Sequence, residues 1–154
     1  MRIIAIDPGT VNLSYAIMEN EEIVDFGIVN LLHLVVKKKK TDYPYMVKTW
    51  IDNTKVFDRV DKVVIENQMQ ARMKIIACSI RCFFFDKAIM VSPKAVRNRF
   101  NISHSEYRKN KKASILFIGP YLKGELKKRF ENTKKKDDVA DSCIMCLFAL
   151  NKKM

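Results

Sequence analysis

The stretch IIAIDPGT, residues 3–10, decides the fold prediction because an apolar run ends there abruptly on an acid, a proline and a glycine. Successive apolar residues are typical of a strand that is buried on both faces. A buried carboxylate without a partner is costly or becomes protonated, so a charge at this strand end needs a compensating group. The stretch therefore predicts that Asp7 binds a cation and that other parts of the chain supply further ligands.

Two later segments place acids in comparable positions. The run VVIEN, residues 63–67, is predicted to be a second buried strand, and it closes on Glu66. The segment DDVADS, residues 137–142, opens the last predicted helix, where Asp138 and Asp141 are three residues apart and so share one helix face. Acids that close neighbouring strands meet at one edge of a sheet. The sequence therefore predicts one cluster of four carboxylates.

Such a cluster has a defined chemistry, although each acid also has a structural interpretation. Four carboxylates are the hard oxygen ligands that a pair of Mg²⁺ ions requires, and two ions about 3.5–4 Å apart promote in-line phosphodiester cleavage. Alternatively, Asp7 belongs to an Asp-Pro-Gly turn, Glu66 is a partly exposed strand end, and the helix acids form a solvated face. Asp137 is a candidate helix cap. Capping explains one acid, and the joint occurrence of the others favours a metal site.

The charge balance points to a polyanionic partner. The 154 residues include 29 Lys and Arg against 17 Asp and Glu, which gives a formal net charge of +12. Basic residues cluster in short runs at residues 37–40, 108–112, 127–129 and 134–136. Each run alone is explained as a solvated loop, but together the runs attract polyanions and favour nucleic acid as the partner.

Strands come first and then alternate with helices, which indicates one α/β domain over residues 1–154, with a mixed sheet covered by helices. The hydrophobic content of 48% supports a folded globule. The apolar stretches are shorter than a membrane span requires, so no membrane is expected and the chain is interpreted as intracellular. The predicted strands are residues 2–7, 13–18, 22–29, 62–67 and 88–92, and the predicted helices are about 43–60, 69–85, 93–99, 105–118 and 138–151.

Four cysteines occur in two closely spaced pairs, Cys78 with Cys82 and Cys143 with Cys146. Such spacings are compatible with a zinc site. Both pairs, however, lie in apolar segments of helical periodicity without a glycine turn, which favours reduced thiols in the core. Without a recognisable signal peptide, disulfides are not expected.

The three acidic motifs together resemble those of the RuvC-type Holliday junction resolvases, a family of the ribonuclease H-like superfamily. IIAIDPGT, VVIEN and DDVADS occur in the family's order across the whole chain, and the lysine-rich sequence is most similar to the poxvirus branch. The resemblance implies a ribonuclease H-like fold with a central mixed five-stranded sheet flanked by helices. It also implies a Mg²⁺-dependent endonuclease that acts as a homodimer and resolves four-way DNA junctions and other branched DNA by symmetric paired nicks.

The same resemblance assigns roles to particular acids. It makes Asp7, Glu66, Asp138 and Asp141 the catalytic residues and the ligands of two Mg²⁺ ions per active site. Mn²⁺ is expected to substitute for Mg²⁺, and no nucleotide cofactor is expected. The implied role is the processing of replication and recombination intermediates, such as viral concatemers, in the host cytoplasm.

Basic residues are predicted by the resemblance to contact DNA near the cleaved bond. Arg97 and Lys112 fall nearest to the family's positions, and Lys111 is the alternative to Lys112. A lysine there would order the scissile phosphate or the attacking water, or would offset the charge that develops in the transition state. His104 is a candidate proton carrier near the site, but it is expected to be an ordinary surface residue.

Three other functions are compatible with parts of this pattern. Phosphate-binding ATPases of the actin and sugar-kinase type also use an Asp-x-Gly-Thr turn, but those folds need two such domains. A related ribonuclease H-like nuclease that acts on RNA would use the same metal chemistry. A noncatalytic branched-DNA-binding protein would use the acids structurally. Substrate competition separates the RNA nuclease from a junction resolvase, and a cleavage assay separates the noncatalytic protein.

Overall fold

The computed structural model describes residues 1–150, which form five strands, six α-helices and three short 3₁₀ turns. None of the helices in this part of the chain is long and apolar enough to cross a membrane. The strands are β1 (Arg2–Asp7), β2 (Leu13–Glu19), β3 (Glu22–Val29), β4 (Lys62–Glu66) and β5 (Ala88–Val91). The helices are α1 (Tyr43–Asn53), α2 (Ala71–Phe83), α3 (Pro93–Arg99), α4 (Tyr107–Ile118), α5 (Gly124–Glu131) and α6 (Lys136–Leu150). The 3₁₀ turns are Leu31–His33, Lys37–Lys39 and Gly119–Tyr121.

The strands form one mixed sheet in the order β3-β2-β1-β4-β5. The first three strands are antiparallel to their neighbours because short connections join them. β4 lies parallel to β1, and β5 lies parallel to β4, because each of these connections includes a helix. The predicted α/β architecture, a mixed five-stranded sheet flanked by helices, is therefore confirmed.

Alternate residues of the central strands face two separate hydrophobic cores. Ile4 and Ile6 of β1 pack in the core that α1 and α2 complete. Ile3 and Ala5 pack in the other core, to which α6 contributes most of its residues. Because α6 is buried along most of its length, it is apolar on nearly all sides. The same alternation places Asp7 on the α6 side of the sheet.

The sequence prediction missed the short helix α5, and two helix boundaries differ clearly from it. α1 ends at Asn53 rather than near residue 60, and the chain then turns through a segment in which Arg59 has a positive φ of 55°. The last helix begins at Lys136, so Asp137 lies within the first turn instead of capping it, and that interpretation was wrong. The predicted end of this helix at residue 151 lies outside the described residues.

The two cysteine pairs lie in different environments. Cys143 and Cys146 of α6 are buried, as predicted. Burial raises the pKa of Cys146 to about 12, so its thiol stays protonated. Cys78 and Cys82 of α2 are exposed, and their assignment to the core was wrong. They line a surface groove between α1 and α2 together with the apolar side chains of Ile75 and Phe83.

Candidate functional site

The first two acids of the predicted cluster meet at the carboxyl ends of β1 and β4. Ile6 and Ile65 are register partners in this parallel pair, so Asp7 and Glu66 follow as neighbours one residue further along. Each acid lies two residues after a residue of the α6 core, Ala5 in β1 and Val64 in β4, and so it points to the same face of the sheet. The two carboxylates therefore extend from the sheet edge toward the same helix.

α6 supplies the other two acids, and serine hydroxyls fix its first turns against β2. The Ser14 hydroxyl donates a hydrogen bond to the backbone carbonyl of Asp138 at 2.8 Å. It also lies 2.6 Å from the Ser142 hydroxyl. Ser14 is the register partner of Asp7, so this buried contact ties the start of α6 to the strand beside the first acid. Neither serine was predicted from the sequence, although polar residues in an apolar strand and an apolar helix were a usable indication.

An amide that was not predicted connects the two strand acids. The side-chain nitrogen of Gln68 donates hydrogen bonds to Asp7 Oδ1 and to Glu66 Oε1, each at 2.9 Å. Gln68 lies in the short connection between β4 and α2, two residues after Glu66. No feature of its type or spacing distinguishes it in the sequence from Gln70, which is exposed. Only the folded chain identifies Gln68 as part of the site.

Asp141 is held by a hydroxyl and a guanidinium group. Its Oδ1 accepts a hydrogen bond from the Ser114 hydroxyl at 2.7 Å, and its Oδ2 accepts one from Arg97 Nη2 at 3.3 Å. The side chains of Arg97 and Asp141 are only 19% and 15% exposed. Arg97, which the sequence predicts to bind DNA, therefore contacts an acid of the cluster in this structure.

The neighbouring lysines of α4 lie in different places. The Lys111 ammonium group forms an ion pair with Asp137 and lies 3.8 Å from Asp138 Oδ1. It also lies 4.9 Å from the centroid of the Tyr107 ring. Lys112 is exposed, because successive residues of a helix point in directions about 100° apart. The structure thus brings Lys111, but not Lys112, to the acid cluster.

Burial raises the pKa values of the four predicted ligands, and the charges of neighbouring acids add to the rise at Asp7, Glu66 and Asp138. Burial raises the pKa of Asp7 to about 9, and the nearby charge of Glu66 contributes to the rise. Burial and the charge of Asp141 raise the pKa of Glu66 to about 7. Burial also raises the pKa values of Asp138 and Asp141. The positive charge around the site is therefore too small to balance four ionised carboxylates.

This donor set fits a hard divalent cation. In residues 1–150 no three acidic, histidine or cysteine side chains already surround a single ion position. The amide of Gln68 instead joins two of the acids, and Ser114 and Arg97 hold a third. Four carboxylates with raised pKa values are nevertheless the ligands that Mg²⁺ or Mn²⁺ prefers, and a cation there would offset their repulsion. Asp7, Glu66, Asp138 and Asp141 are the residues that would hold it.

A tight turn keeps one side of the cluster open to solvent. Pro8 and Gly9 lead the chain away from Asp7, and a Cβ atom on Gly9 would lie 2.9 Å from the backbone oxygen of Asn12. Glycine is therefore required for the close approach of the two backbone segments. The resulting cleft has a volume of about 280 Å³, and it is lined by residues that include Asp7, Gln68 and Asp138. A phosphate group can approach the carboxylates from this side.

Three solved structures with a similar architecture are Holliday junction resolvases. The fowlpox virus resolvase in complex with Holliday junction DNA has a TM-score of 0.70 and 21% identity, and the match covers 99% of this chain and 100% of that one. The yeast mitochondrial Holliday junction resolvase Ydc2 has a TM-score of 0.65 and 17% identity, with coverage of 93% and 76%. RuvC of Thermus thermophilus, in complex with a Holliday junction substrate, has a TM-score of 0.62 and 14% identity, with coverage of 96% and 91%. At these identities the likeness shows the fold, and the predicted RuvC-like, ribonuclease H-type architecture is confirmed.

Sequence comparison defines the family. No curated protein matches the chain. A family model described as Poxvirus A22 protein matches residues 1–152, which is nearly the whole sequence. The predicted relationship to the poxvirus branch is therefore confirmed. The chain belongs to the Poxvirus A22 protein family.

Proposed function

We propose that this protein is a metal-dependent endonuclease that resolves four-way DNA junctions and other branched DNA by paired nicks. Its family membership and its structural likeness to resolvases solved with Holliday junction DNA support this function. In this proposal residues 1–154 act as one nuclease domain in the cytoplasm of the infected cell. Its products are the separated duplexes of replication and recombination intermediates, such as viral concatemers.

The observation that carries the proposal is the buried carboxylate cluster in a strongly basic protein. Asp7 and Glu66 close neighbouring parallel strands, and Asp138 and Asp141 face them from α6. Four partly buried acids argue against a noncatalytic DNA-binding protein, because each of them repels phosphate when it is ionised. A net charge of +12 on the rest of the chain is what a polyanionic substrate requires.

In the proposed mechanism Asp7, Glu66, Asp138 and Asp141 bind two Mg²⁺ ions, which Mn²⁺ can replace. When bound, such ions activate a water molecule and stabilise the leaving oxygen of the phosphodiester. The protein contributes the fixed positions of the carboxylates. Ser14 holds the first turn of α6, so the helix acids do not have to move when substrate binds.

Basic side chains around the cluster are proposed to position the phosphate backbone. Lys111 is 27% exposed and lies next to Asp138, so its ammonium group can contact a phosphate at the site without leaving its acid partners. Lys112 projects from the exposed face of α4 and is proposed to contact the backbone further from the cleaved bond. Arg97 remains a predicted DNA contact. Its contact with Asp141 supports an additional role in orienting that carboxylate.

A homodimer is part of the proposal because two symmetric nicks require two equivalent sites. The surface proposed to meet a second copy is the α1–α2 groove, a cleft of about 630 Å³ with a mainly apolar lining that also includes Lys48 and Lys74. Its α2 side is an apolar stripe at helical spacing in which Ile75 is 43% and Phe83 46% exposed. Two chains of net charge +12 repel each other except where such a patch meets its own copy. The groove is lined by Pro44, Tyr45, Lys48, Lys74, Ile75, Cys78, Ser79, Cys82 and Phe83.

The decisive experiment compares cleavage of labelled substrates of the same sequence. Four-way, three-way and linear DNA, together with a four-way RNA junction, are incubated with Mg²⁺, with Mn²⁺ and with chelator. We expect paired nicks in the four-way DNA with either metal and none with chelator. Failure to cut any branched DNA would refute the proposal, and preferential cleavage of the RNA would reassign the substrate.

A binding measurement in chelator tests the electrostatic part of the proposal separately. The affinity for the four-way junction should fall steeply as salt is raised, because phosphate neutralisation releases counterions. A linear duplex of equal length is the matched control and should bind more weakly at every salt concentration. A flat salt response would contradict a role for the basic surface.

A further inference from the structure

The side chain of Gln68 lies between Asp7 and Glu66 and contacts both acids. One side-chain nitrogen lies 2.9 Å from an oxygen of each carboxylate, and both of its N–H groups are used. The acids belong to different strands, so the amide links β1 to β4 at the edge of the sheet. Gln70, in the same connection, lines the same cleft but is exposed.

The amide nitrogen and a shared cation require the same space. Mg²⁺ sits about 2.0–2.1 Å from each ligand oxygen. An ion between Asp7 Oδ1 and Glu66 Oε1 would therefore lie where the Gln68 nitrogen now lies, 2.9 Å from both atoms. The two N–H groups also place partial positive charge between two acids that repel each other when both are ionised. In the protein without metal, the amide thus reduces the repulsion between the two acids weakly, whereas a divalent ion would reduce it strongly.

We infer that Gln68 is a positioning residue that holds Asp7 and Glu66 together before metal binds and that the ion must displace it. This inference rests on the proposed function, because it needs a metal at these acids. Gln68 lies in the connection between β4 and α2, outside any regular element, so its side chain can move without disturbing a helix or strand. The residue therefore stabilises the protein alone and lowers the affinity of the site for metal.

A competing Gln68 and a metal-binding Gln68 predict opposite changes in metal affinity when the side chain is removed. If Gln68 turned its carbonyl oxygen toward the ion and bound it, removing the side chain would weaken metal binding. If Gln68 competes with the ion, removing it strengthens metal binding and destabilises the protein in chelator. The two roles are therefore separated by binding measurements that need no DNA and no cleavage.

The test titrates Mn²⁺ and Mg²⁺ into the full chain by calorimetry, and it measures the melting temperature in chelator. The variants are Gln68→Ala and Gln68→Met, which keeps the length of the side chain without its donors, and the matched control is Gln70→Ala. We expect the two Gln68 variants to bind Mn²⁺ about threefold to tenfold more tightly, which corresponds to the loss of about one charge-assisted hydrogen bond. Both should melt at a lower temperature than the wild type in chelator, whereas Gln70→Ala should match the wild type in both measurements.

A second measurement uses the wild-type protein and does not depend on any variant. The side-chain NH₂ resonances of Gln68, followed by ¹⁵N NMR, should be protected from exchange in chelator and should lose that protection when Mg²⁺ is added. The resonances of Gln70 should change little. Retained protection of Gln68 at saturating Mg²⁺ would overturn the inference.

The possible failures are distinguishable. If the wild type binds neither metal, the metal site of the proposed function fails, and this inference falls with it. If the wild type binds metal but the Gln68 variants bind it equally or more weakly, only the displacement by metal is refuted. Metal binding that is strengthened equally by Gln70→Ala would also refute it, since the effect would not belong to the amide between the acids.

Discussion

The acid cluster and the α1–α2 groove are both unusual in what they bury: the cluster partly buries acidic side chains, and the groove exposes apolar ones. In the cluster, polar carboxylates are partly buried between β1, β4 and α6, and burial raises the pKa of Asp7 to about 9. In the groove, apolar side chains such as Ile75 and Phe83 lie on the surface. Neither arrangement stabilises the isolated chain, because buried charge and exposed apolar surface are both unfavourable. In the proposed function each is explained by something that the chain would bind, a cation in one case and a second copy in the other.

The two regions lie on opposite sides of one sheet, so they can be altered independently. The cluster belongs to the core that α6 completes, and the groove is formed by α1 and α2 over the other core. Changes on one side leave the packing of the other side in place. Variants of the cluster should therefore affect chemistry without affecting assembly, and variants of the groove should do the reverse.

The largest effect is expected from Asp7→Asn. The change removes a proposed metal ligand and keeps the size of the side chain, so cleavage should fall more than about 100-fold, beyond the 10–100-fold loss that is typical of residues behind the ligands. Junction binding in chelator and the sedimentation of the proposed dimer should be unchanged. Single-turnover cleavage and gel shift measure the two properties, with Asp58→Asn, at an exposed acid, as the control. Wild-type cleavage by Asp7→Asn would show that the ligand assignment is wrong.

Adjacent lysines of α4 provide the next test. Lys111→Gln removes the cation beside Asp137 and Asp138, and cleavage at saturating DNA should fall about 10-fold to 100-fold. Lys112→Gln should keep that rate, weaken junction binding and reduce the slope of log affinity against log salt by about 1. The rate at saturating junction and the affinity as a function of salt are the measurements. Equal losses of rate in the two variants would contradict the separation between them.

The acid cluster could be predicted from the sequence because its determinants are local. Apolar runs that end on Asp7 and Glu66 define strands, and a spacing of three places Asp138 and Asp141 on one helix face. The alternation along a strand then sets the side of the sheet on which each acid lies. These steps need no knowledge of how distant segments pack.

The remaining features depend on packing that the sequence does not encode locally. An apolar helix stripe looks the same whether it faces the core or a partner, and so Cys78 and Cys82 were assigned wrongly. Lys111 and Lys112 differ by one helical step, which the sequence cannot orient. The contacts of Gln68 join segments that are 61 residues apart. Such partners become visible only when the sheet order is known.

On the groove side, Ile75→Asp should dissociate the proposed dimer. A charge placed in the apolar stripe loses its hydration when the partner binds, so the dimer dissociation constant should rise about tenfold or more. Leu116→Asp on α4, where Leu116 is 67% exposed, is the matched control and should leave the dimer intact. Sedimentation velocity over a range of protein concentrations measures the effect. Dissociation by Leu116→Asp alone would place the interface on another surface.

The smallest effect is expected in the pH dependence of stability in chelator. The pKa of Asp7 is raised from 3.8 to about 9 in the folded protein, so the folded state keeps a proton that the unfolded chain releases above pH 4. Stability from this group is therefore fully present below pH 4 and is lost as the pH rises toward 9. Asp7→Asn carries no such proton, so its melting temperature should fall less than that of the wild type between pH 7.5 and 8.5.

The difference between the two pH responses should be about 2–4 °C, which corresponds to about 1 kcal/mol in a domain of this size. Melting curves in chelator at both pH values, with Asp58→Asn as the control, measure it. At pH 8.5, saturating Mn²⁺ should raise the melting temperature of the wild type more than that of Asp7→Asn. The ion stabilises the ionised cluster of the wild type and binds the variant less tightly. Parallel pH responses of the wild type and Asp7→Asn in chelator would show that Asp7 is ionised without metal. The four partly buried acids would then be stable in the protein without a cation. The cluster would no longer differ from the groove in the way described above.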